Sequence, residues 1–236
     1  MAYPAIPRDS VGWVTETEMV DVDRAMIDDL GISLVQMMEN AGRSLARAAI
    51  DLFAPSSVWV AAGSGGNGGG GMVAARHLTN AGVAVTVTTT RPGHDLSGVP
   101  ARQLETIRRM GVTIADAPSS CDLAIDALIG YSLRGAPHGH TAELIAVCSQ
   151  HPRTLSLDTP SGIDVTTGDA PGTFVTADAT VTLALPKAGL RGHPAVGRLL
   201  LADISVPRAI TEPLGGAPDF GPSPILELVG PPGGPT

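Results

Sequence analysis

Residues 57–80 join an apolar run, SVWVAAG, to a helix-patterned segment, MVAARHLTN, and of the nine residues from Gly63 to Gly71 between them seven are glycine. Such a turn lets a helix begin at the very end of a strand, because backbone without β-carbons approaches other backbone closely. Gly63, Gly65 and Gly68 satisfy the G-x-G-x-x-G spacing in a strand–turn–helix setting. Bare N–H groups at a helix N-terminus then face an anion such as a pyrophosphate, which the helix dipole favours. The following strand, however, ends in Thr88-Thr89-Thr90-Arg91, without the acidic residue that grips a ribose in dehydrogenases. The fingerprint is incomplete, and a turn that merely lets the helix pack closely remains the alternative. Ser64 and Asn67 carry the loop's only polar side chains.

Around that turn the chain alternates short β-rich runs with helical ones. SVWVAAG, VAVTVTT, VTIA, DLAIDALIG, RTLSLD, ATVTLAL and LLLADISV read as strands. GMVAARHLTNAG, ARQLETIRRMG and TAELIAVCSQ read as helices between them. The pattern predicts an α/β fold with a mainly parallel sheet covered on both faces, with antiparallel pairing open for the later strands. Aromatic residues make up only 3% of the chain against 43% hydrophobic residues in all, so Ala, Val, Leu, Ile and Met must fill the core. Two helices precede the alternation. Thr15 with Glu18 and Ser33 with Gln36 fit capping boxes, and Met19, Val22, Met26 and Leu30 recur at helical spacing until Gly31. Leu34, Met37, Met38, Ala41, Leu45 and Ala48 form the second apolar stripe, with Glu39 and Asn40 at its edge. Residues 1–212 read as one domain, and 213–236 as a Gly/Pro-rich flexible tail with ILELV as a docking point.

Several function classes drop out. A net charge of −8 repels phosphate backbones, so no nucleic-acid partner is expected. No apolar run approaches the roughly 18 residues of a membrane span, so no membrane association is expected either. Cys121 and Cys148 make neither a disulfide framework nor a metal cluster, and a reduced cytoplasmic setting is expected.

Three further loops leave strand ends with unusual chemistry. Asp126, after Leu-Ala-Ile, is a carboxylate in a buried strand; it either binds a cation or caps its own loop's N–H groups. The loop after it carries Arg134, suited to phosphate. Asp158 in Asp158-Thr159-Pro160-Ser161-Gly162 either moves protons or caps its own turn. Nothing sets a histidine beside Ser161. Lys187 in LPKAGL reads as a surface charge, with a phosphate contact as the alternative.

Five segments occur in order: MMENAG (37–42), the Gly/Asn loop leading into MVAARHL (63–78), IDALIG (125–130), LDTPSGID (157–164) and LPKAGL (185–190). Together they resemble the YjeF N-terminal domain family. The resemblance implies a Rossmann-like three-layer α/β/α sandwich, usually a homodimer. It implies an isomerase that interconverts the R and S hydrates of NADH and NADPH, damaged cofactors with a hydroxyl at C6 of the nicotinamide ring. By resemblance, Asn67, Asp126 and Ser161 hold potassium, an ion such hard oxygen donors suit. Substrate contacts fall at Gly66, Asn67, Gly68, Gly69 and Gly70, at Gly130, Tyr131, Ser132, Leu133, Arg134, Gly135 and Ala136, and at Asp158, which matches the family's catalytic carboxylate. Gly66 and Gly70 stand where the family pattern has Asn and Asp, so two polar side chains are missing from the loop. That departure keeps two other functions open: an enzyme of the same fold acting on another small hemiaminal or iminium ring, and a non-catalytic scaffold.

Overall fold

Along the strand that precedes the glycine loop, alternate residues serve opposite sides. Val58, Val60 and Ala62 join one apolar cluster, while Trp59 and Ala61 join another. All five are buried, so this strand is central and covered twice. The structure, a computed structural model, describes residues 3–118 and 120–230. Its elements are β1 (Ala5–Pro7), α1 (Glu16–Arg24), α2 (Leu34–Phe53), β2 (Ser57–Ala62), α3 (Gly66–Asn80), β3 (Ala84–Thr89), α4 (Gly98–Arg109), β4 (Thr113–Ile114) and β5 (Leu123–Ala127). There follow α5 (Gly139–Gln150), β6 (Thr154–Leu157), β7 (Ala179–Leu183), β8 (Arg198–Ala202), α6 (Arg208–Thr211) and β9 (Ile225–Val229).

The strands form one nine-stranded sheet in the order β1-β9-β8-β7-β6-β5-β2-β3-β4. Every neighbouring pair is parallel except β8 with β9. Leu45 and Ala49 of α2, Met72 and Leu78 of α3, and Leu104 and Ile107 of α4 pack on one face. Leu144, Ile145 and Cys148 of α5 pack on the other, around Trp59. The expected three-layer sandwich is therefore present. Trp59, one of few aromatics, is fully buried, and its indole N–H donates to Thr88 Oγ1 at 3.0 Å.

From β2 the chain moves outward through β3 and β4, then returns to β5 on β2's other flank before running on to β8. The loops leaving β2 and β5 thus part in opposite directions, which opens a crevice at the carboxyl ends of these strands. That position, set by topology alone, is where a ligand belongs.

Both expected capping boxes form, at Thr15–Glu18 and Ser33–Gln36. The first helix does not hold its stripe to the end. After Arg24 it widens into a π-helical turn, Ala25–Asp29, in which the Leu30 N–H donates to Ala25 C=O five residues back. The wider turn rotates the following residues out of phase, so Met26 is buried while Leu30 is 51% exposed.

The expected flexible tail is the larger correction. Residues 225–229 are a strand of the sheet, antiparallel to β8 and parallel to β1. Ile225, Leu226 and Leu228 are buried, and Glu227 pairs with Arg198 across the strands. ILELV is thus an internal closure of the sheet, not a docking point for something else. Residues 231–236 lie outside the described residues. Among the described residues, no helix is long and apolar enough to cross a membrane.

Candidate functional site

A cavity of about 660 Å³ opens at the crevice. Its floor is the end of β2 and the start of α3, with Gly63, Gly65, Gly66, Asn67 and Gly70 on its wall. α3 begins at Gly66, so its first N–H groups face this space. Gly68 is required by packing: a β-carbon there would lie 1.8 Å from the Gly63 carbonyl oxygen. Gly68 and Gly69 are buried inside α3 and do not line the cavity, whereas the other three expected loop contacts do. The whole of Gly130–Ala136 lines it, as does Asp158.

Asp158 ends β6 in an unusual conformation. Its φ is +68°, in the left-handed region that Asp tolerates better than most residues. Its N–H still donates to Val181 C=O at 2.7 Å, and the Thr159 N–H closes a three-residue turn on Leu157 C=O at 2.9 Å. β7 ends in the same way, with Ala184 at φ +64° and the Leu185 N–H on Leu183 C=O at 2.7 Å. The second turn sends the chain back as Leu185-Pro186-Lys187. Val14 clamps this segment, donating to Pro186 C=O at 3.0 Å and accepting from the Ala188 N–H at 2.8 Å. The two tight turns bring Lys187 Nζ onto Asp158 Oδ1.

Lys187 is fully buried, which corrects its reading as a surface charge. Its ammonium also donates to Leu183 C=O at 2.8 Å and Thr182 Oγ1 at 3.3 Å. Asp158 Oδ2 accepts from the Tyr131 N–H at 3.2 Å, and Oδ1 lies 3.4 Å from the Leu183 N–H. The signal in the sequence was one cation inside VTLALPKAGL, an otherwise uncharged and mostly apolar stretch. A buried ammonium requires a counter-charge. Asp23 was missed as well. Its side chain lines the cavity and accepts the Tyr131 hydroxyl. It stands one turn from both Met19 and Met26, an acid on the inward face of an amphipathic helix.

Asp126 belongs to a different cluster. It is fully buried on the α5 face of the sheet, in register with Ser156 of β6. Oδ1 accepts from the Leu128 N–H at 3.2 Å and Ser161 Oγ at 2.5 Å; Oδ2 accepts from Ser156 Oγ and the Ser161 N–H, both at 2.8 Å. Burial pushes its carboxyl pKa up, and these four donors pull the other way. Ser161 Oγ in turn accepts from the Ile129 N–H at 2.8 Å. Asp126 and Ser161 are thus in direct contact, without lining the cavity.

Asn67 reaches toward this region from α3. A β-carbon on Gly130 would lie 3.3 Å from Asn67 Oδ1 and 3.2 Å from Asp158 Oδ2, so the absent side chain keeps the gap between them open. Asn67 Nδ2 is buried without a hydrogen-bond partner, alone in this among the described side chains. No basic group touches Asp126, and an amide can turn to present its oxygen instead of its nitrogen. These observations fit an oxygen-liganded cation in kind. Among the described residues no three His, Cys, Asp or Glu side chains converge.

Arg134, expected to meet phosphate, pairs with Glu16 Oε1 and ties the 130–136 loop to α1. Glu39 accepts from Arg76 and from His77, the latter at 2.8 Å, so the expected polar edge of α2 is a hydrogen-bonded one.

Comparison with known proteins agrees with this architecture. The chain is 44% identical over 207 residues to an NAD(P)H-hydrate epimerase of Dehalogenimonas lykanthroporepellens, covering 84% of this chain and 83% of that protein. It is 39% identical to an NAD(P)H-hydrate epimerase of Truepera radiovictrix, covering 84% and 92%. It is 43% identical to the bifunctional NAD(P)H-hydrate repair enzyme Nnr of Hyperthermus butylicus, covering 80% of this chain but spanning only 38% of that longer protein. The crystal structure of yeast YNL200c has the same fold, with a TM-score of 0.82 at 22% identity, over 92% of this chain and 99% of that one. Residues 34–189 match the model of the YjeF-related protein N-terminus. The match takes in the glycine loop, both strand-end carboxylates and Lys187, and the chain belongs to this family.

Proposed function

We propose that this protein is an NAD(P)H-hydrate epimerase, an isomerase that interconverts the R and S hydrates of NADH and NADPH. The observation that carries the reading is Asp158, a carboxylate paired with a buried ammonium and open to the switch-point cavity. Relatives with this printed activity align over most of the chain.

Epimerisation at C6 needs the hydroxyl to leave and to return on the other face, or the ring to open and close. Either route moves a proton to or from an oxygen, the task of a positioned carboxylate. Lys187 fixes Asp158 Oδ1 and the Tyr131 N–H fixes Oδ2. The carboxyl group therefore meets the substrate in one orientation. The start of α3 suits the pyrophosphate through its N–H groups, a contact that needs no side chain from Gly66 or Gly70. The cationic ring formed as the protonated hydroxyl departs as water would lie beside the carboxylates of the cavity, which favours it.

Asn67, Asp126 and Ser161 would hold potassium. When bound, the ion would supply a positive charge beside the buried Asp126. Thermal unfolding in potassium against sodium chloride at equal ionic strength tests this. A melting point higher in potassium, and lost in Asn67→Ala, is expected. A homodimer and a cytoplasmic setting belong to the same proposal. The exposed apolar side chains Val20, Ile27, Leu30 and Val35 support the former, and the mass in solution tests it. For the activity itself, purified S-hydrate is incubated with the protein and conversion to R is followed; a rate equal to that of buffer sinks the reading.

A further inference from the structure

We propose that Asp23, acting through the Tyr131 hydroxyl, is a second proton carrier of the epimerisation and serves the ring face opposite to that served by Asp158. This rests on the epimerase reading above.

Tyr131 spans the two carboxyl groups. Its backbone N–H donates to Asp158 Oδ2 at 3.2 Å, and its hydroxyl donates to Asp23 Oδ2. Asp158 and Asp23 therefore stand a tyrosine's length apart, both on the cavity wall. Two carboxyl groups at such separation, one giving and one taking a proton, are the arrangement by which a C–O bond is broken on one side of a ring and made on the other. Their surroundings differ as such a division requires. Asp158 touches the Lys187 ammonium, whereas the Tyr131 hydroxyl is the single donor to Asp23 among the described residues. Burial pushes the Asp23 carboxyl above the ordinary carboxylate range, against the pull of the Tyr131 hydroxyl and of Lys187. Asp23 also sits two residues ahead of the π-helical turn Ala25–Asp29, an irregularity common where a helix serves a site. A second tie, Arg134 to Glu16, holds the same loop against the same helix.

The step balances as follows. With Asp23 protonated, its O–H donates to the phenol oxygen and frees the phenol hydrogen to point at the C6 hydroxyl. That hydroxyl takes the phenol proton while Asp23 reprotonates the phenol. The C6–O bond breaks with its electron pair on oxygen, water leaves, and the N1 lone pair makes the N1=C6 double bond of an iminium. Water then adds to the other face of C6, its surplus proton goes to Asp158, and the double-bond pair returns to N1. Nothing is oxidised or reduced. Asp23 ends as carboxylate and Asp158 as acid, and proton exchange with solvent or one turnover of the opposite epimer resets them.

Each epimer is incubated in ¹⁸O-water with wild-type protein, Asp23→Asn and Tyr131→Phe, and both inversion and ¹⁸O uptake at C6 are measured above the buffer rate. Tyr131→Phe retains the ring and the N–H on Asp158, so it separates loss of the hydroxyl from loss of the fold. Wild type should exchange and invert both epimers. Both variants should lose inversion by about 100-fold. One epimer, the one whose hydroxyl faces Asp158, should still take up ¹⁸O with its configuration retained; the other should not. Inversion within threefold of wild type in both variants overturns the proposal. So does equal loss of uptake from both epimers, or inversion by wild type without ¹⁸O uptake. Absence of any inversion by wild type overturns the epimerase reading instead.

Discussion

Asp126 and Asp158 end neighbouring parallel strands, are both buried, and in the sequence look alike: a lone acid after a short apolar run. Their partners set them apart. Asp126 accepts from four neutral donors, each carboxylate oxygen taking two, and does not line the cavity. Asp158 accepts from one ammonium and from backbone N–H groups, and lines the cavity. A carboxylate that gathers neutral hydroxyls and N–H groups away from the cavity organises the loops around it. One held from a side by a cation, with an open face, has capacity left for a substrate. Strand position alone does not separate the two roles; the donors do.

The largest effect should come from breaking the second arrangement. Asp158→Asn removes the acid–base group, and the inversion rate should fall by about 10³-fold, within the range for a lost general acid–base. Asn tolerates the left-handed backbone at this position. The substitution still strands the buried Lys187 ammonium, at a cost of about 3–5 kcal/mol for one partner of a buried pair. Adding Lys187→Met should recover most of that stability and none of the rate. Urea unfolding alongside the inversion assay checks both. If the double variant regains activity, Asp158 is not the proton carrier.

Asp126→Asn should do the reverse. The side chain keeps its shape but turns an NH₂ toward donors, leaving Ser156 or Ser161 unsatisfied for about 2–3 kcal/mol. Denaturant midpoints give the loss, and any surviving folded protein should keep Asp158 and Lys187 in place. The comparison fails if Asp126→Asn leaves stability unchanged.

Much of this was legible in the residues. Short β-rich apolar runs, alternating with helical segments and punctuated by Gly and Pro, mark seven of the strands. β1 and β9 escape. The three residues AIP and one apolar patch among prolines and glycines carry no period; β9 gains its place only by pairing with β8, and β1 only by pairing with β9. Asp158 and Asn67 are legible because unusual residue types follow strands. The apolar setting of Lys187 hints at its burial, but its pairing with Asp158 is not legible, because it depends on two positive-φ turns at Asp158 and Ala184, conformations that non-glycine residues rarely announce. Asp23 stands out only once the inward face of α1 is known.

The two unusual glycines of the first loop extend the comparison to the cavity's other wall. A β-carbon at Gly70 would lie 2.8 Å from Leu157 Cδ2, and Leu157 is buried. Gly70→Asp must therefore move Leu157, next to Asp158, and place a carboxylate against an apolar side chain. A loss of about 2 kcal/mol is expected from overpacking, before any cost of the charge. Thermal unfolding checks it. If Gly70→Asp is neutral, Leu157 has not taken over that space.

Gly66→Asn should be the mildest change. A β-carbon there would meet only Met38 Cε, at 3.5 Å, an ordinary contact with the end of a flexible side chain. The residue opens α3 rather than sitting in its middle, so the slightly higher helix propensity of Asn over Gly gains little, and stability should stay within about 0.5 kcal/mol. The added amide points at the cavity wall, where it offers a donor and an acceptor to a bound ligand. An effect, if any, should therefore appear as a changed KM for the hydrate with kcat preserved, the mark of altered ground-state binding. A fall in kcat at unchanged KM would place Gly66 among the groups that act on the reacting ring, and the division between a binding wall at α3 and a proton-moving wall at Asp158 would not hold.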